Sequence, residues 1–430
     1  MAFDLTRSKT ENAPEVGLSS TPLRIGILSY RCAPNVGGQG VYVDYLSSAL
    51  VNAGHKVSVI SGPPHCETHP DVTDIHLPSL DLYAQPNNGH YALRPHHLLS
   101  PTDSWEYFGH LSGKFVEPYT FGQRAFQYLK QHQDQFDIIL DNQCLASGIL
   151  KLQTELDIPL VTMIHHPITE DLKLALDNEP DFWMRQLIRR WYSFHKMQIR
   201  VARQLTNVIS PSAIAKDHIV REFGLEPDRI TPIRLGVDRA FFKPDTSVAR
   251  VPGRIVVTAS ADSPLKGVRY LIEACGRLKD QVPDLHLHIV GKSLSDETTA
   301  KIKEHGLEDR VTFLTGLSRD EIAREFQSAS LLVSPSLYEG FGLPAAEAMS
   351  CGTPVIVTDG GALPEVAGEA GVIVPKGDAD ALAEAISSLL TDDAQRASVA
   401  AACLKRADET FDWSVIAGEY EAYFRSVLNI

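Results

Sequence analysis

The strongest constraint on the fold is an alternation that runs twice along the chain. Short apolar runs of strand length, beginning with Leu23-Arg24-Ile25-Gly26-Ile27-Leu28-Ser29 and Lys56-Val57-Ser58-Val59-Ile60, are separated by helix-length stretches such as 41–51. Runs of this kind suit strands of a parallel sheet that is covered by helices on both faces. The first series continues with expected strands near 74–78, 136–141, 160–164 and 206–210, and helices at 121–132, 145–156 and from Ala213. A second series opens at Arg254-Ile255-Val256-Val257-Thr258-Ala259 and predicts strands near 285–290, 311–314, 331–334, 355–358 and 372–374. The fold class is therefore α/β, with two doubly wound Rossmann-like domains facing each other across a cleft between strand ends. The expected division is a disordered tail at 1–20, a first domain at 21–240, a second at 241–411 and a terminal helix at 412–430. With 430 residues, 43% of them hydrophobic, the chain can bury two full cores.

Within the second series, Tyr338-Glu339-Gly340-Phe341-Gly342-Leu343-Pro344-Ala345-Ala346-Glu347-Ala348-Met349 reads as a turn and the first turns of a helix. The glycines free the backbone, Pro344 suits a first helical turn, and the alanines favour helix. Glu339 in the turn and Glu347 in the helix flank unpaired N–H groups at the positive end of the helix dipole. Carboxylates accept hydrogen bonds from sugar hydroxyls and N–H groups attract phosphate, so the segment suits a ligand bearing both. Three further features fit such a ligand. Gly37-Gly38-Gln39-Gly40 follows the first strand and allows close backbone approach to a phosphate, although it is not G-x-G-x-x-G and no acidic residue closes the second strand. His165-His166-Pro167 stands at the carboxyl end of a strand, where open α/β sheets bind ligands and where an imidazole either contacts a sugar or caps the strand. Lys266, in Asp262-Ser263-Pro264-Leu265-Lys266-Gly267, precedes a helix whose dipole disfavours it unless an anion is near.

The E-x7-E spacing within EGFGLPAAE resembles the signature of the family 4 retaining glycosyltransferases of GT-B fold, and the resemblance spans the chain after residue 20. It implies an NDP-sugar donor, UDP- or GDP-linked, with Glu347 on the ribose hydroxyls and Glu339 on the sugar. The N–H groups of Phe341, Gly342 and Leu343 would add contacts, while Lys266 and the loop Gly37, Gly38 and Gly40 would stabilise the departing diphosphate. It also implies that His165, rather than His166, meets the donor sugar near the reacting carbon. His165, Glu339 and Lys266 are thus the candidate catalytic residues, and no metal or other cofactor is expected. The nucleobase is expected beside Gly291 and Thr315-Gly316-Leu317-Ser318, and Asp359-Gly360-Gly361 fits a further phosphate loop. In such a fold the last helix crosses back onto the first domain. Two positions depart from the family pattern: Ala261 stands where an arginine is usual, and Leu235 where asparagine precedes Gly-Val-Asp.

Other readings are narrowed by composition and spacing. A net charge of −14 argues against general nucleic-acid binding. Six cysteines without a C-x-x-C pair suggest neither a zinc cluster nor a disulfide framework, and with no signal or spanning segment the expected location is cytoplasmic, with the membrane surface as an alternative. The histidines between 65 and 110 lack metal-site spacing, and Asp378-Ala379-Asp380 reads as a helix cap. Residues 63–122 read as a largely irregular acceptor-side excursion. Residues 182–204 read as one basic, aromatic helix, for which a solvated surface is favoured over peripheral membrane contact. The expected activity is retaining, metal-independent transfer of a hexose-like sugar to a hydroxyl of a small-molecule, glycan or lipid-linked acceptor. A GT-B epimerase or phosphorylase and a non-catalytic sugar-nucleotide-binding protein are the alternatives.

Overall fold

Two parallel sheets organise the chain. β1 (Arg24–Ser29), β2 (Lys56–Ser61), β3 (Thr73–His76), β4 (Ile138–Asn142), β5 (Leu160–Met163), β6 (Val208–Ser210) and β7 (Ile230–Pro232) form the first. Its spatial order is β3-β2-β1-β4-β5-β6-β7. The second contains β8 (Arg254–Ala259), β9 (His286–Gly291), β10 (Val311–Leu314), β11 (Leu331–Ser334), β12 (Val355–Thr358) and β13 (Val372–Val374), ordered β10-β9-β8-β11-β12-β13. The structure, a computed structural model, describes residues 21–32, 38–66, 68–177, 179–259, 264–292 and 294–430. The expected tail, Gly37 and Ala261 lie outside the described residues.

Both sheets reverse strand order beside their first strand, between β1 and β4 and between β8 and β11, which is where a doubly wound sheet opens a crevice at its carboxyl edge. The strands at these points are covered on both faces and largely apolar: β1 is buried from Ile25 onward and β4 at every position, including Asp141 and Asn142 at its carboxyl end. One core cluster joins the two halves, taking in Tyr42 and Leu46, then Phe341 and Ala345, then Phe411, Trp413 and Tyr420. The helix Trp413–Leu428 returns to the helix Gly38–Asn52, where the Tyr420 and Tyr42 hydroxyls lie 2.9 Å apart and Arg425 donates to the Thr21 carbonyl.

Four expectations are corrected. The excursion is more regular than its prolines suggest, because Pro101 occupies the first turn of a helix, Pro101–Leu111, capped by Ser100. The following helix starts at Glu117, four residues before its expected start, again with a proline in its first turn. The stretch 182–204 is broken into helices Phe182–Trp191 and His195–Ala202 around a 3-10 turn, Tyr192–Phe194, and the Trp191 carbonyl accepts from Phe115 N. Finally, Cys32 and Cys66 form a disulfide. They follow the adjacent strands β1 and β2, whose ends are in register at Ser29 and Ser61. That proximity comes from the sheet, so a spacing of 34 residues carried no signal. Asp378 caps the helix Ala379–Thr391 through the N–H groups of Asp380 and Ala381, as expected.

Candidate active site

β11 ends at Ser334, and the chain turns through 335–342 into the helix Leu343–Ser350. Gly342 makes that entry with φ 103°, a left-handed conformation open to glycine. No described group accepts from the N–H groups of Phe341, Gly342 or Leu343, so the helix start offers three free donors. The Phe341 ring packs edge-on against Phe411, which fixes the turn from beneath.

Glu339 is held at this turn by Lys266, whose Nζ donates to Oε1 at 2.6 Å, and by Ser336 Oγ at 2.9 Å. Lys266 ends a 3-10 turn, Pro264–Lys266, that is pinned to the Glu339 turn by Leu337 N donating to the Leu265 carbonyl. Gly267, with φ 64°, lies so close to the Pro335 carbonyl that any Cβ would collide with it. A cation and a carboxylate are thus presented together beside free N–H donors, with one further Glu339 oxygen available as an acceptor. Glu347 lies on the helix that follows. Burial pushes its carboxyl up to about 7, while Arg319 pulls it down and Asp238 pushes it further up.

The first half faces this turn with the carboxyl ends of β1, β4 and β5. A Cβ on Gly340 would sit 3.0 Å from the His165 carbonyl oxygen, so the glycine turn touches the His165 backbone. The His165 ring lies edge-on to Tyr42 and its Nε2 is 2.7 Å from Asn142 Oδ1. Asn142 Nδ2 donates to the Gln39 carbonyl and to Ser29 Oγ, which leaves Oδ1 as the acceptor. His165 Nε2 therefore carries the proton and Nδ1 a lone pair. Burial and the neighbouring His166 push the imidazole down to about 3, so it is neutral at ordinary pH. His166 points elsewhere, its Nε2 bonding Asp171 at 2.8 Å. Gly38 and Gly40 lie in the first turn of the helix Gly38–Asn52, beside the Gln39 carbonyl that Asn142 holds.

Polar contacts close the two halves over the site. Arg319 bonds Asp44 at 2.8 Å and lies over the Tyr45 ring. Ser212 Oγ donates to the Gly340 carbonyl, and the Glu365 carboxylate caps the helix Ala213–Phe223 through Ala213 N and Ile214 N. His218 stacks on Tyr338.

Over 411 residues the chain is 39% identical to an MMP alpha-(1->4)-mannosyltransferase from Mycolicibacterium hassiacum, an alignment covering 94% of this chain and 98% of that one. It belongs to the family 4 glycosyltransferases. The family models agree, with "Glycosyltransferase Family 4" matching residues 36–241 and "Glycosyl transferases group 1" matching 243–406. A glycogen synthase of Mycobacterium tuberculosis strain H37Rv is 28% identical over 410 residues, 92% of each chain. Among solved structures, a sucrose-phosphate synthase from Thermosynechococcus elongatus superposes with a TM-score of 0.69 at 23% identity, covering 94% of this chain and 99% of that one. Anabaena HepE in complex with UDP and glucose gives 0.68 at 17%, covering 94% and 100%. The glycosyltransferase thus has the GT-B fold.

Sequence reasoning named most of what this glycosyltransferase brings together at the cleft: Glu339, Lys266, the free N–H groups, Glu347 and His165. It missed the residues that orient them. Asn142, the last residue of β4, and Gln143 after it, the latter accepting from His165 N at 2.6 Å and donating to the His166 carbonyl, carry no local pattern that sets them apart from ordinary strand-end residues. A signal was available at Arg319, a basic residue directly after the helix cap Ser318, where the dipole disfavours it. The same argument had singled out Lys266.

Proposed function

We propose that this glycosyltransferase moves a hexose, with mannose the first candidate, from a nucleotide diphosphate sugar to a sugar hydroxyl, forming an α-(1→4) bond with retention. The observation that carries the reading is the Lys266–Glu339 pair set beside free helix-start N–H groups and opposite a neutral His165. The linkage and sugar follow the printed name of the relative that is 39% identical over nearly the whole chain.

In this reading the diphosphate sits over the N–H groups of Phe341, Gly342 and Leu343, near Lys266, with Gly38 and Gly40 across the cleft. Glu347 accepts from ribose hydroxyls and Glu339 from hydroxyls of the transferred sugar. Neutral His165, its Nδ1 lone pair kept free by the Asn142 contact, accepts from a sugar hydroxyl at the other wall. The acceptor oxygen attacks the anomeric carbon on the face from which the diphosphate leaves. The C1–O bond to phosphate breaks as the new C1–O bond forms, and the acceptor proton passes to the departing phosphate oxygen. Negative charge grows on the diphosphate during this step, so fixed donors aimed there lower the barrier without reorganising. Closure of the two halves excludes water and favours transfer over hydrolysis. Lys266 and the N–H groups supply the neutralising charge, and the reaction is read as metal-independent.

The test is a matrix of GDP-mannose, GDP-glucose, UDP-glucose and UDP-galactose against short mannosides and glucosides, with and without EDTA. Product linkage and anomeric configuration are read by NMR. An α-(1→4) product insensitive to EDTA is expected. A β-linked product, an epimerised donor in the absence of acceptor, or loss of turnover on chelation would each overturn the corresponding part of the proposal.

A further inference from the structure

The helix Phe182–Trp191 has no buried residue. Yet its sequence, FWMRQLIRRW, is strongly two-sided: Met184, Leu187, Ile188 and Trp191 recur at helical spacing, while Arg185, Arg189 and Arg190 supply three cations with no acidic residue among its ten positions. An apolar stripe normally forms because the core covers it, and here the chain covers only part of Ile188 and Trp191 and leaves Met184 and Leu187 exposed. The exposed large apolar side chains concentrate at this place. Of the fifteen such residues among the described residues, eleven lie in 91–111 or 182–191. The most exposed include Leu99 at 87%, Tyr91 at 79% and Trp183 at 74%.

These two segments form one face. Arg190 Nε donates to the Ser112 carbonyl just past the helix Pro101–Leu111, Phe115 stacks on Trp191 at 5.2 Å, and Tyr83 meets both Trp191 and His110. Arg94 in the first segment and Lys114, 5.2 Å from the Trp105 ring, bring the cations to five, against Asp103 and Glu106, which Arg124 pairs. Contiguous exposure on this scale marks a docking surface. Its chemistry selects among occupants. Sugars stack on aromatic rings, and six of the eleven are aromatic, but Leu98, Leu99, Leu111, Met184 and Leu187 alternate with them and gain burial only from an apolar phase, which a hydrated sugar does not supply. A second copy related by a two-fold axis would bring two arginine-rich helices together, and like charges oppose that. A bilayer interface with anionic headgroups accepts aromatic and aliphatic side chains at the acyl boundary and arginines at the headgroups.

We propose that this face, built from residues 91–111 and 182–191, docks the protein reversibly on an anionic lipid surface. The chain as a whole carries a net −14, so its remainder is acidic and faces away from the headgroups when this locally basic face is down. Phe115 and Tyr83 also lie within cation–π distance of Arg31, which follows β1, so the face adjoins the carboxyl edge of the first sheet and docking leaves the cleft close to the lipid.

The test is co-sedimentation of the full chain with vesicles of phosphatidylcholine alone or with 30% phosphatidylglycerol, alongside tryptophan emission. Trp105, Trp183 and Trp191 lie on the face, whereas Trp413 is buried. Partition should be at least tenfold stronger on the anionic vesicles, with a blue shift, and should fall with salt, since each arginine near such a surface is worth about fivefold. W183E/L187E, on exposed positions and expected to melt as the wild type does, should lose binding at least tenfold. R189E should lose about fivefold or more while keeping the apolar residues. Equal partition on both vesicle types, no partition, or a dimer in solution that W183E/L187E dissociates would overturn the proposal, the last in favour of a second copy.

Discussion

Replacing Glu347 with Gln removes a charge that the native state holds unfavourably. Burial raises its carboxyl from near 4.5 to about 7. Between those values the folded chain binds more protons at this site than the unfolded chain, so stability falls as pH rises through the window and levels off above it. The full shift corresponds to about 3 kcal/mol, at ~1.36 kcal/mol per unit. Glu347 keeps a little solvent exposure, which screens the penalty to roughly 1–2 kcal/mol. E347Q should therefore be more stable than wild type by about that amount at pH 8, with the difference closing toward pH 5. Urea unfolding of both proteins at pH 5, 6, 7 and 8 measures it. The same substitution should weaken nucleotide binding, because an ionised carboxylate makes charge-assisted bonds to hydroxyls worth about 1.5–3 kcal/mol that an amide does not. Titration calorimetry with GDP and UDP should show a tenfold or greater loss, and wild-type affinity should fall as pH drops below about 7. A stability difference independent of pH would refute the burial argument, and unchanged nucleotide affinity in E347Q would refute the ribose assignment.

Lys266→Ala and Glu339→Gln should each lower kcat about 10²-fold or more, as loss of a group aimed at developing charge does. Their melting temperatures should stay close to wild type, since the pair is partly exposed. Asn142→Asp places a carboxylate where the amide oxygen now meets His165 Nε2, which favours imidazolium. The His165 pKa should rise by a unit or more from about 3, read by NMR of the ring nitrogens, with activity falling at the acid end of the profile. Arg319→Ala removes the cation that holds the Glu347 carboxyl down, so the pH at which nucleotide affinity declines should move upward from that of wild type. It also cuts the Asp44 bridge between the halves, and small-angle scattering should report a more open average shape.

What could be read from the residues was whatever depends on local periodicity. The βα alternation placed the strands because strand-length apolar runs and helix-length gaps are properties of neighbouring residues. The Glu339 turn was legible for the same reason: glycines, a proline and helix formers occur within twelve residues. Contacts between distant segments were not. Cys32 and Cys66 meet because β1 pairs with β2. Asn142 and Gln143 matter only because β4 pairs with β5, which brings His165 beside them. The helix at 101–111 was hidden by its proline, a residue that signals loop or helix start with equal force. The break at 192–194 lies in a run of good helix formers and aromatics, where a carbonyl turned toward Phe115 is invisible to any local rule.

The polypeptide passes between its two halves twice, and the passages run side by side where Val237 N–H donates to the Phe411 carbonyl at 2.7 Å and Val237 pairs with Asp412. Two covalent pins set together behave like those of a door: they allow swing about the line through them and resist sliding or twisting apart. Any opening of the cleft would thereby follow a single angular coordinate and bring His165 and Glu339 back to the same registry on closing. The arrangement also imposes an order on biosynthesis. The first sheet leaves the ribosome with its Tyr42 surface bare, and that unit is finished only when the last sixteen-residue helix, Trp413–Leu428, arrives to cover it.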